Sequence, residues 1–411
     1  MATTDQNSTY IRKGFGLKAE VQETLAGDYA GHLVDLLRER AYTLSAGGVT
    51  VRLAHEFGFC YGVERAVEYA YQTRRKFPDK RILLAGEIIH NPHVNAKLRE
   101  MGIIFLGSTA DGKGFDFTGV EPTDVVILPA FGVTIHDFET LRTIGCVVVD
   151  TTCGSVLNVW KRVESYGRDG FTALIHGKHY HEETRATASQ MEKYPGGRWL
   201  VVRNMDEAQL VCAFIERGGD KTAFMERFAK GTSPAFDPDR DLQRIGVANQ
   251  TTMLARESLA IAGEVGKALE RRYGVEHVAE HFRSFDTICS ATQDRQDAVN
   301  ELLKEPLDVM LVIGGYNSSN TISLAALCSE KVRTYHVQDA TCIDVGARTI
   351  KHLPTGRYEE VEDANWLAGD GPVRVGLTAG ASTPNNKIGE AVSRVFATRG
   401  VDVRAVGWEP E

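Results

Sequence analysis

The sequence contains no apolar run approaching the ~20 residues that a membrane-spanning helix needs. Its start, Met1–Thr9, is polar, with neither the apolar core of a signal peptide nor the Arg-rich character of a transit peptide. Seven cysteines, an odd and dispersed set, do not form the framework of a disulfide-rich secreted protein. We therefore expect a cytoplasmic protein with reduced thiols and no membrane partner.

An excess of positive charge is also missing. The 47 Lys and Arg residues are outnumbered by 55 Asp and Glu residues, which gives a formal net charge of −8. A nucleic-acid partner held on a broad basic face is not expected for such a chain. The length of 411 residues predicts roughly two to four compact units.

From Val49 onward, short β-branched or apolar runs alternate with segments of helical periodicity. This alternation predicts an α/β protein with mostly parallel sheets. The predicted strands are Thr50–Ala54, Arg81–Ala85, Val125–Leu128, Val147–Asp150, Thr172–His176, Leu200–Arg203, Arg244–Ala248, Asp308–Ile313, Thr334–Val337 and Val373–Leu377. The predicted helices include Gly62–Lys76, Val156–Tyr166, Leu254–Arg272, Gln293–Lys304, Ile322–Ser329 and Lys387–Thr398. Residues 1–49 form an extension of uncertain role, and Glu216–Asp241, rich in Gly, Asp and Pro, reads as a solvated insertion.

Three cysteines occupy comparable places in this pattern. Cys60, Cys153 and Cys289 each follow a predicted strand and precede a predicted helix. The positive end of a helix favours thiolate over thiol, and thiolates are the ligands of soft metal centres. Three thiolates would leave one iron of a [4Fe–4S] cluster open to substrate.

The alternative for any dispersed cysteine is a buried apolar side chain, because no close C-x-x-C spacing marks a metal site. We apply that interpretation to the cysteines that lie in or beside apolar runs: Cys146, Cys212, Cys328 and Cys342.

Polar loops follow several predicted strands, where ligands bind in parallel α/β sheets. Asn317–Asn320 and Ala381–Pro384 are neutral, hydroxyl-rich segments that open helices, which suits phosphate, although helix capping explains part of the pattern. His90 and His181 could add charge to such a site, or each is an ordinary histidine. Glu183, two residues after His181, could direct a proton toward a substrate, with a solvated loop as the alternative.

Together these segments resemble the hydroxymethylbutenyl diphosphate reductase family, which catalyses the last step of the methylerythritol phosphate route to isoprenoids. The motifs occur in the family's order from about Val49 to the C-terminus, and Arg12–Gly16 resembles the longer plant and cyanobacterial branch. The matching motifs are Gly58–Val67, Ile89–Pro92, Asp150–Cys153, His181–Thr184, Gln250–Thr252, Thr287–Thr292 with Arg295-Gln296, Asn317–Asn320 and Thr378–Ser382.

The resemblance implies three pseudo-symmetric α/β lobes with mostly parallel sheets around a central [4Fe–4S] cluster. We place the lobes at 50–150, 151–285 and 286–411, after the extension at 1–49. By motif match, Cys60, Cys153 and Cys289 would hold the cluster with one iron left open. The expected electron donor is ferredoxin or flavodoxin.

The resemblance also assigns the substrate site. Glu183 would deliver a proton, with Thr251 beside the substrate hydroxyl. The diphosphate would be held by His90, His181, Ser318, Ser319, Asn320 and Ser382. Many bacterial members have histidine at the position of Phe131, and the long branch resembles this chain in having phenylalanine there. His136 is the nearby imidazole that could replace that contact.

The implied reaction is a two-electron reductive dehydroxylation that gives isopentenyl and dimethylallyl diphosphate. Three alternatives remain open from the residues alone. They are a non-redox iron–sulfur hydro-lyase, a non-catalytic iron–sulfur sensor and a metal-free phosphosugar-binding protein.

Overall fold

A computed structural model describes residues 9–285, 287–367, 369 and 371–406. The first eight residues of the predicted extension lie outside the described residues, as do 286, 368, 370 and 407–411 of the predicted third lobe. The strands are β1 Tyr10–Ile11, β2 Thr43–Ala46, β3 Val49–Leu53, β4 Ile82–Ala85, β5 Ile103–Leu106, β6 Val125–Leu128, β7 Val147–Asp150, β8 Thr172–His176, β9 Trp199–Val202, β10 Ile245–Asn249, β11 Phe282–Ser284, β12 Val309–Ile313, β13 Thr334–Val337, β14 Ile343–Asp344, β15 Thr349–His352, β16 Val361–Ala364 and β17 Val373–Ala379.

The helices alternate with these strands over most of the described chain. The α-helices are α1 Lys18–Tyr29, α2 His32–Glu39, α3 Tyr61–Lys76, α4 Pro92–Glu100, α5 Ile135–Ile144, α6 Gly154–Arg168, α7 Glu182–Ser189, α8 Met205–Arg217, α9 Lys221–Phe228, α10 Pro238–Asp241, α11 Ala255–Tyr273, α12 Val278–His281, α13 Ser290–Leu302, α14 Ser319–Ser329 and α15 Asn385–Thr398. Short 3₁₀ helices span Gln190–Lys193, Ala340–Cys342 and Val403–Val406.

The chain divides into two compact units, each built from separate stretches of sequence. Unit 1 comprises the described residues of Met1–Phe15, Lys76–Ile88 and Met101–Cys289. Unit 2 comprises those of Gly16–Arg75, Ile89–Glu100 and Ser290–Glu411. The predicted lobe boundaries at 50–150, 151–285 and 286–411 stay a prediction.

Unit 1 contains two parallel sheets. The first has the strand order β1-β7-β6-β4-β5 and the second β11-β10-β8-β9, and every pairing in both is parallel. Strands β4, β6, β8 and β10 are buried at every position, as their continuous apolar sequences lead one to expect for parallel strands covered on both faces.

Unit 2 contains one mostly parallel sheet and one small antiparallel sheet. The main sheet has the order β13-β12-β17-β3-β2, in which only β2 and β3 pair in antiparallel fashion. The small sheet has the order β14-β15-β16. The predicted α/β class with mostly parallel sheets is confirmed.

The N-terminal extension contributes to the fold of each unit separately. In unit 1, β1 adds a parallel edge strand to β7, and the Tyr10 hydroxyl donates to the buried Asp150 carboxylate at 2.5 Å. In unit 2, Leu33, Val34 and Leu37 of α2 are buried in the same core as Phe396 of α15. The extension is therefore an integral part of the fold.

The interpretation of Glu216–Asp241 as a solvated insertion is wrong. Helix α9 lies within it, and Phe224, Phe228 and Phe236 are buried in the core that covers β9 and β10. Glycine and aspartate marked the turns and the helix cap at Asp220, but the three aromatic side chains supply the apolar area that orders the segment. Among the described residues, no helix has both the length and the apolar character that crossing a bilayer requires.

Candidate active site

The three cysteines singled out by position all stand at the heads of helices, as predicted. Cys60 directly precedes α3, and its carbonyl accepts the Glu64 N–H at 2.9 Å. Cys153 is the N-cap of α6, and Cys289 directly precedes α13. Each is half-buried, so each thiol lies near a helix end without being sealed in a core.

The other cysteines have different surroundings. Burial raises the pKa of Cys146, that of Cys212 to about 11 and that of Cys328 to about 12, so these thiols stay protonated at neutral pH. Cys342 is partly buried and packs against the core of unit 2. Their interpretation as apolar side chains agrees with this burial.

In unit 1, Cys153 and Cys289 lie against the same helix start. The Cys289 thiol donates to the Ser155 hydroxyl at 3.3 Å, and Ser155 belongs to the first turn of α6, which Cys153 caps. The Cys153 N–H donates to the Ala130 carbonyl at 2.9 Å, which ties this turn to the residue beyond β6. The sequence separates these two cysteines widely, and the fold brings them together.

The proposed acid and its neighbours form a second cluster in unit 1. Glu183 is 1% exposed, and its Oε1 accepts the Thr251 N–H at 2.6 Å. His181 caps α7, with its Nδ1 accepting the Glu183 N–H at 3.2 Å. Because Nδ1 accepts, the neutral imidazole carries its proton on Nε2. The structure thus brings His181, Glu183 and Thr251 together.

Gln250 joins the loop that follows β10 to the segment that follows β8. Its Oε1 accepts the Lys178 N–H at 3.1 Å and the Thr184 hydroxyl at 3.2 Å. A Cβ at Gly177 would lie 2.8 Å from the Thr184 hydroxyl oxygen and 3.0 Å from the Gln250 Cβ, so the close approach of the loops requires glycine there. Gln250 is fully enclosed, which makes it a rigid support for Glu183 and Thr251.

In unit 2, the predicted phosphate loops meet through hydrogen bonds. The Ser382 hydroxyl donates to the His90 carbonyl at 3.2 Å and lies 3.5 Å from the Ser318 hydroxyl. The Asn320 Oδ1 accepts the Ala381 N–H at 2.9 Å. Ser319 is buried beside them in the first turn of α14. These side chains form a neutral cradle in which backbone and hydroxyl groups converge.

Two features of this cradle suit an anion. Helix α14 has no acidic residue in its first turn, so its positive end is not neutralised locally. The Asn320 Nδ2 is buried and has no hydrogen-bond partner among the described residues. A buried amide donor without a partner is costly unless something accepts from it, and phosphate oxygens are suitable acceptors.

Cys60 lies beside the cradle within unit 2. Its N–H donates to the Ala381 carbonyl at 3.2 Å, directly before Ser382, and the Gly58 N–H donates to the Ala379 carbonyl at 3.3 Å. The loop that carries Cys60 is therefore attached to the loop that carries Ser382.

Comparison with known proteins identifies the family. The sequence profile described as LytB protein matches residues 51–396. The chain belongs to the LytB family. This LytB chain is 48% identical to the 4-hydroxy-3-methylbut-2-enyl diphosphate reductase of Thermosynechococcus vestitus, over 96% of each chain. It is 49% identical to the enzyme of the same name from Gloeobacter violaceus, over 96% of this chain and 94% of that one.

A solved structure supports the same family relationship. It is described as (E)-4-hydroxy-3-methyl-but-2-enyl diphosphate reductase, the terminal enzyme of the non-mevalonate pathway. It superimposes with a TM-score of 0.50 at 27% identity and covers 84% of this chain and 98% of its own. The resemblance read from the eight motifs, including its cyanobacterial character, is confirmed.

Phe131 of this LytB chain packs on the proposed substrate histidine. Its ring stands edge to face with that of His181, with centroids 5.5 Å apart and planes at 81°. His136, the nearby imidazole considered as a replacement, is exposed in the first turn of α5. Phe131 thus packs against the ring of His181.

The motifs alone assign no role to two buried residues near the candidate site, Gln250 and Arg295. Gln250 was only part of a motif, although a glutamine between a strand end and two threonines is a signal for loop bridging. Arg295 also stood in a motif, and the structure buries its side chain to 3% exposure. A charged residue on the apolar face of a predicted helix is the sequence feature that indicates such a buried guanidinium.

Proposed function

We propose that the protein is an iron–sulfur reductase that removes the hydroxyl of (E)-4-hydroxy-3-methylbut-2-enyl diphosphate to give isopentenyl and dimethylallyl diphosphate. The proposal is supported by near-full-length relatives of that name. The observation that carries its chemistry is the buried Glu183 carboxyl, which accepts the Thr251 N–H and lies next to the imidazole that caps α7.

For the cofactor, we assign Cys60, Cys153 and Cys289 as the ligands of a [4Fe–4S] cluster with one iron that has no protein ligand. When bound, the cluster supplies electrons and a Lewis-acidic iron. The donor set fits, because each of the three cysteines stands at the start of a helix and is only half-buried, and thiolates are the usual ligands of iron–sulfur clusters.

The diphosphate is assigned to the cradle of Ser318, Ser319, Asn320 and Ser382, with His90 and His181 as further donors. Hydroxyl groups, the Asn320 amide and the N–H groups at the start of α14 are donors that match phosphate oxygens. Binding through this remote group orients the hydroxyl-bearing carbon at the reacting end.

Glu183 then protonates the departing hydroxyl, so that water leaves in place of hydroxide. Because Oε1 accepts the Thr251 N–H, the proton on the neutral carboxyl resides on Oε2. The reaction consumes two electrons and two protons. One proton goes to the leaving oxygen, and the other goes to either end of the allylic carbon fragment, which gives the two products.

The electron donor we propose is ferredoxin or flavodoxin, and the site of action is the cytoplasm. The net charge of −8 argues against a nucleic-acid partner held on a broad basic face.

The test is turnover of the hydroxylated diphosphate by protein purified without oxygen, with a chemical reductant as electron source. We expect both isomeric products and one water per two electrons consumed. Iron-containing protein that dehydrates or isomerises the substrate without consuming electrons would contradict the proposal.

A further inference from the structure

Arg295 carries a buried charge that the described residues do not neutralise. It lies on α13 in unit 2 and is 3% exposed. Its Nη1 donates to the Ala291 carbonyl and its Nη2 to the Gly58 carbonyl, both at 2.7 Å. Its Nε has no hydrogen-bond partner within the described residues. Buried guanidinium groups normally face a carboxylate or another anion, because desolvation of an unpaired charge is costly.

The local dipole makes this arrangement less favourable still. Arg295 folds back onto the first turn of α13, where helix N–H groups already present a positive end. That turn contains no acidic residue. The positive end of the helix and the guanidinium charge therefore lie close together. Within the described part of the chain, two carbonyl oxygens are the only acceptors of hydrogen bonds from this side chain.

The two carbonyl acceptors of Arg295 each lie close in sequence to a proposed cluster ligand. Gly58 is two residues before Cys60, and Ala291 is two residues after Cys289. Gly58 has a φ of +67°, and an added Cβ would lie 3.2 Å from the Thr383 carbonyl oxygen. The direction of the Gly58 carbonyl thus depends on a backbone conformation that favours glycine. One guanidinium fixes carbonyls next to two of the three proposed cluster ligands.

We propose that Arg295 is a positioning residue and the fixed counter-charge of the iron–sulfur cluster. This inference rests on the proposed function, since it needs a cluster at these cysteines. A cluster with thiolate ligands is anionic, and reduction adds one more negative charge. A desolvated positive charge near it stabilises the reduced form and raises the reduction potential. The planar fork of arginine can also hold two carbonyls at once, which the ammonium of lysine does less well.

The test compares three substitutions in holoenzyme purified without oxygen. Arg295→Met removes the charge and keeps most of the side-chain volume. Arg295→Lys keeps the charge and loses the fork. Arg394→Met is the matched control, because Arg394 of α15 also donates through Nη1 to a carbonyl, that of Ile343, at 2.7 Å in the same unit. The readouts are the midpoint potential of the cluster and the rate at which a chelator removes its iron.

We expect Arg295→Met to shift the midpoint potential to more negative values, while Arg295→Lys and Arg394→Met leave it near the wild-type value. Both Arg295 variants should release iron several-fold faster than wild type. A loaded Arg295→Met protein with the wild-type potential overturns the inference.

If Arg295→Met does not load iron, Arg295→Lys decides the question. Iron loading with a wild-type potential in the lysine variant supports the counter-charge. Failure of both variants to load iron overturns it in favour of a purely structural role. Wild-type protein that holds no cluster contradicts the proposed function itself, which separates the two failures.

Discussion

The two units present different chemistry at their candidate site residues. Unit 1 contains a buried carboxyl bonded beside a capping imidazole and, separately, two cysteines at the start of α6. In unit 2, the corresponding groups are neutral hydroxyl and amide side chains at the start of α14, with one cysteine loop attached to them. The first set suits proton and electron transfer, and the second suits anion binding.

The two units also differ in how their buried polar groups are paired. Unit 1 contains a buried carboxyl, that of Glu183, which a backbone N–H holds in place and which we propose as the proton donor. In unit 2, the first turn of α14 contains no acidic residue, and the Asn320 Nδ2 has no hydrogen-bond partner among the described residues, which suits an incoming anion. Substitutions of Glu183 and of the cysteines in unit 1 should therefore affect turnover, and those in the cradle of unit 2 should affect substrate affinity.

The largest effect is expected for Cys153→Ser in unit 1. Serine is a poor ligand for iron in a thiolate site, so iron content and activity should both fall to background. The measurement is iron content and turnover after anaerobic purification. The matched control is Cys342→Ser, which should keep both, and a Cys153→Ser protein with full iron and activity would remove this cysteine from the ligand set.

The next effect is expected for Glu183→Gln. The amide cannot supply a proton, so kcat should fall about a hundredfold or more while iron content stays at the wild-type level. Steady-state kinetics and iron analysis check this. Glu226→Gln, at an exposed carboxyl on α9 of the same unit, should change kcat little. Near-wild-type turnover of Glu183→Gln would take it out of the acid role.

A smaller effect of a different kind is expected for Asn320→Ala in unit 2. Loss of the amide should raise KM about tenfold, in line with one hydrogen bond to a charged group, and change kcat less. Ser329→Ala, at the far end of the same helix α14, should leave KM unchanged. A fall in kcat with an unchanged KM would contradict the anion-binding assignment.

The smallest expected effect concerns stability and pH. Burial lowers the pKa of His336 to about 4, and its Nε2 lies 3.0 Å from the Gly314 carbonyl before the Asn317–Asn320 loop. The unfolded chain binds the proton at higher pH, so stability is full above about pH 6.5 and is lost as the pH falls toward 4. Between pH 7 and 5 this histidine should cost about 2 kcal/mol of unfolding free energy.

Replacing His336 with glutamine, which keeps a donor but does not titrate, should weaken this dependence by about 2 kcal/mol, while His176, whose pKa burial also lowers to about 4, keeps its own contribution. The measurement is denaturant unfolding at pH 7 and pH 5 for both proteins. An identical pH dependence in wild type and His336→Gln would show that another group is responsible.

Much of the fold was predictable from the sequence because its strands are continuous apolar runs. Predicted Val125–Leu128 and Val147–Asp150 coincide with β6 and β7, and predicted Thr334–Val337 with β13. Helix α14 was predicted to begin at Ile322 but begins at Ser319. A run of Asn and Ser is typical of a loop. The Ser318 side chain caps the helix, however, so Ser319 and Asn320 lie in its first turn.

The positions of individual candidate site residues could be predicted from the sequence, but the tertiary contacts that hold them in place could not. The places of Cys153, His181 and Asn320 at helix starts could be predicted, because helix ends and strand ends are visible in the sequence. The bond between Cys289 and Ser155, and the two carbonyls held by Arg295, join residues far apart in the chain. Such pairings depend on tertiary packing, which local periodicity does not encode.

The most direct test of this account is the iron and acid-labile sulfide content of wild-type protein purified without oxygen. We predict about four of each per chain, with loss of both when any one of Cys60, Cys153 and Cys289 is replaced by serine. Colourless, iron-free protein that still reduces the hydroxylated diphosphate would contradict it.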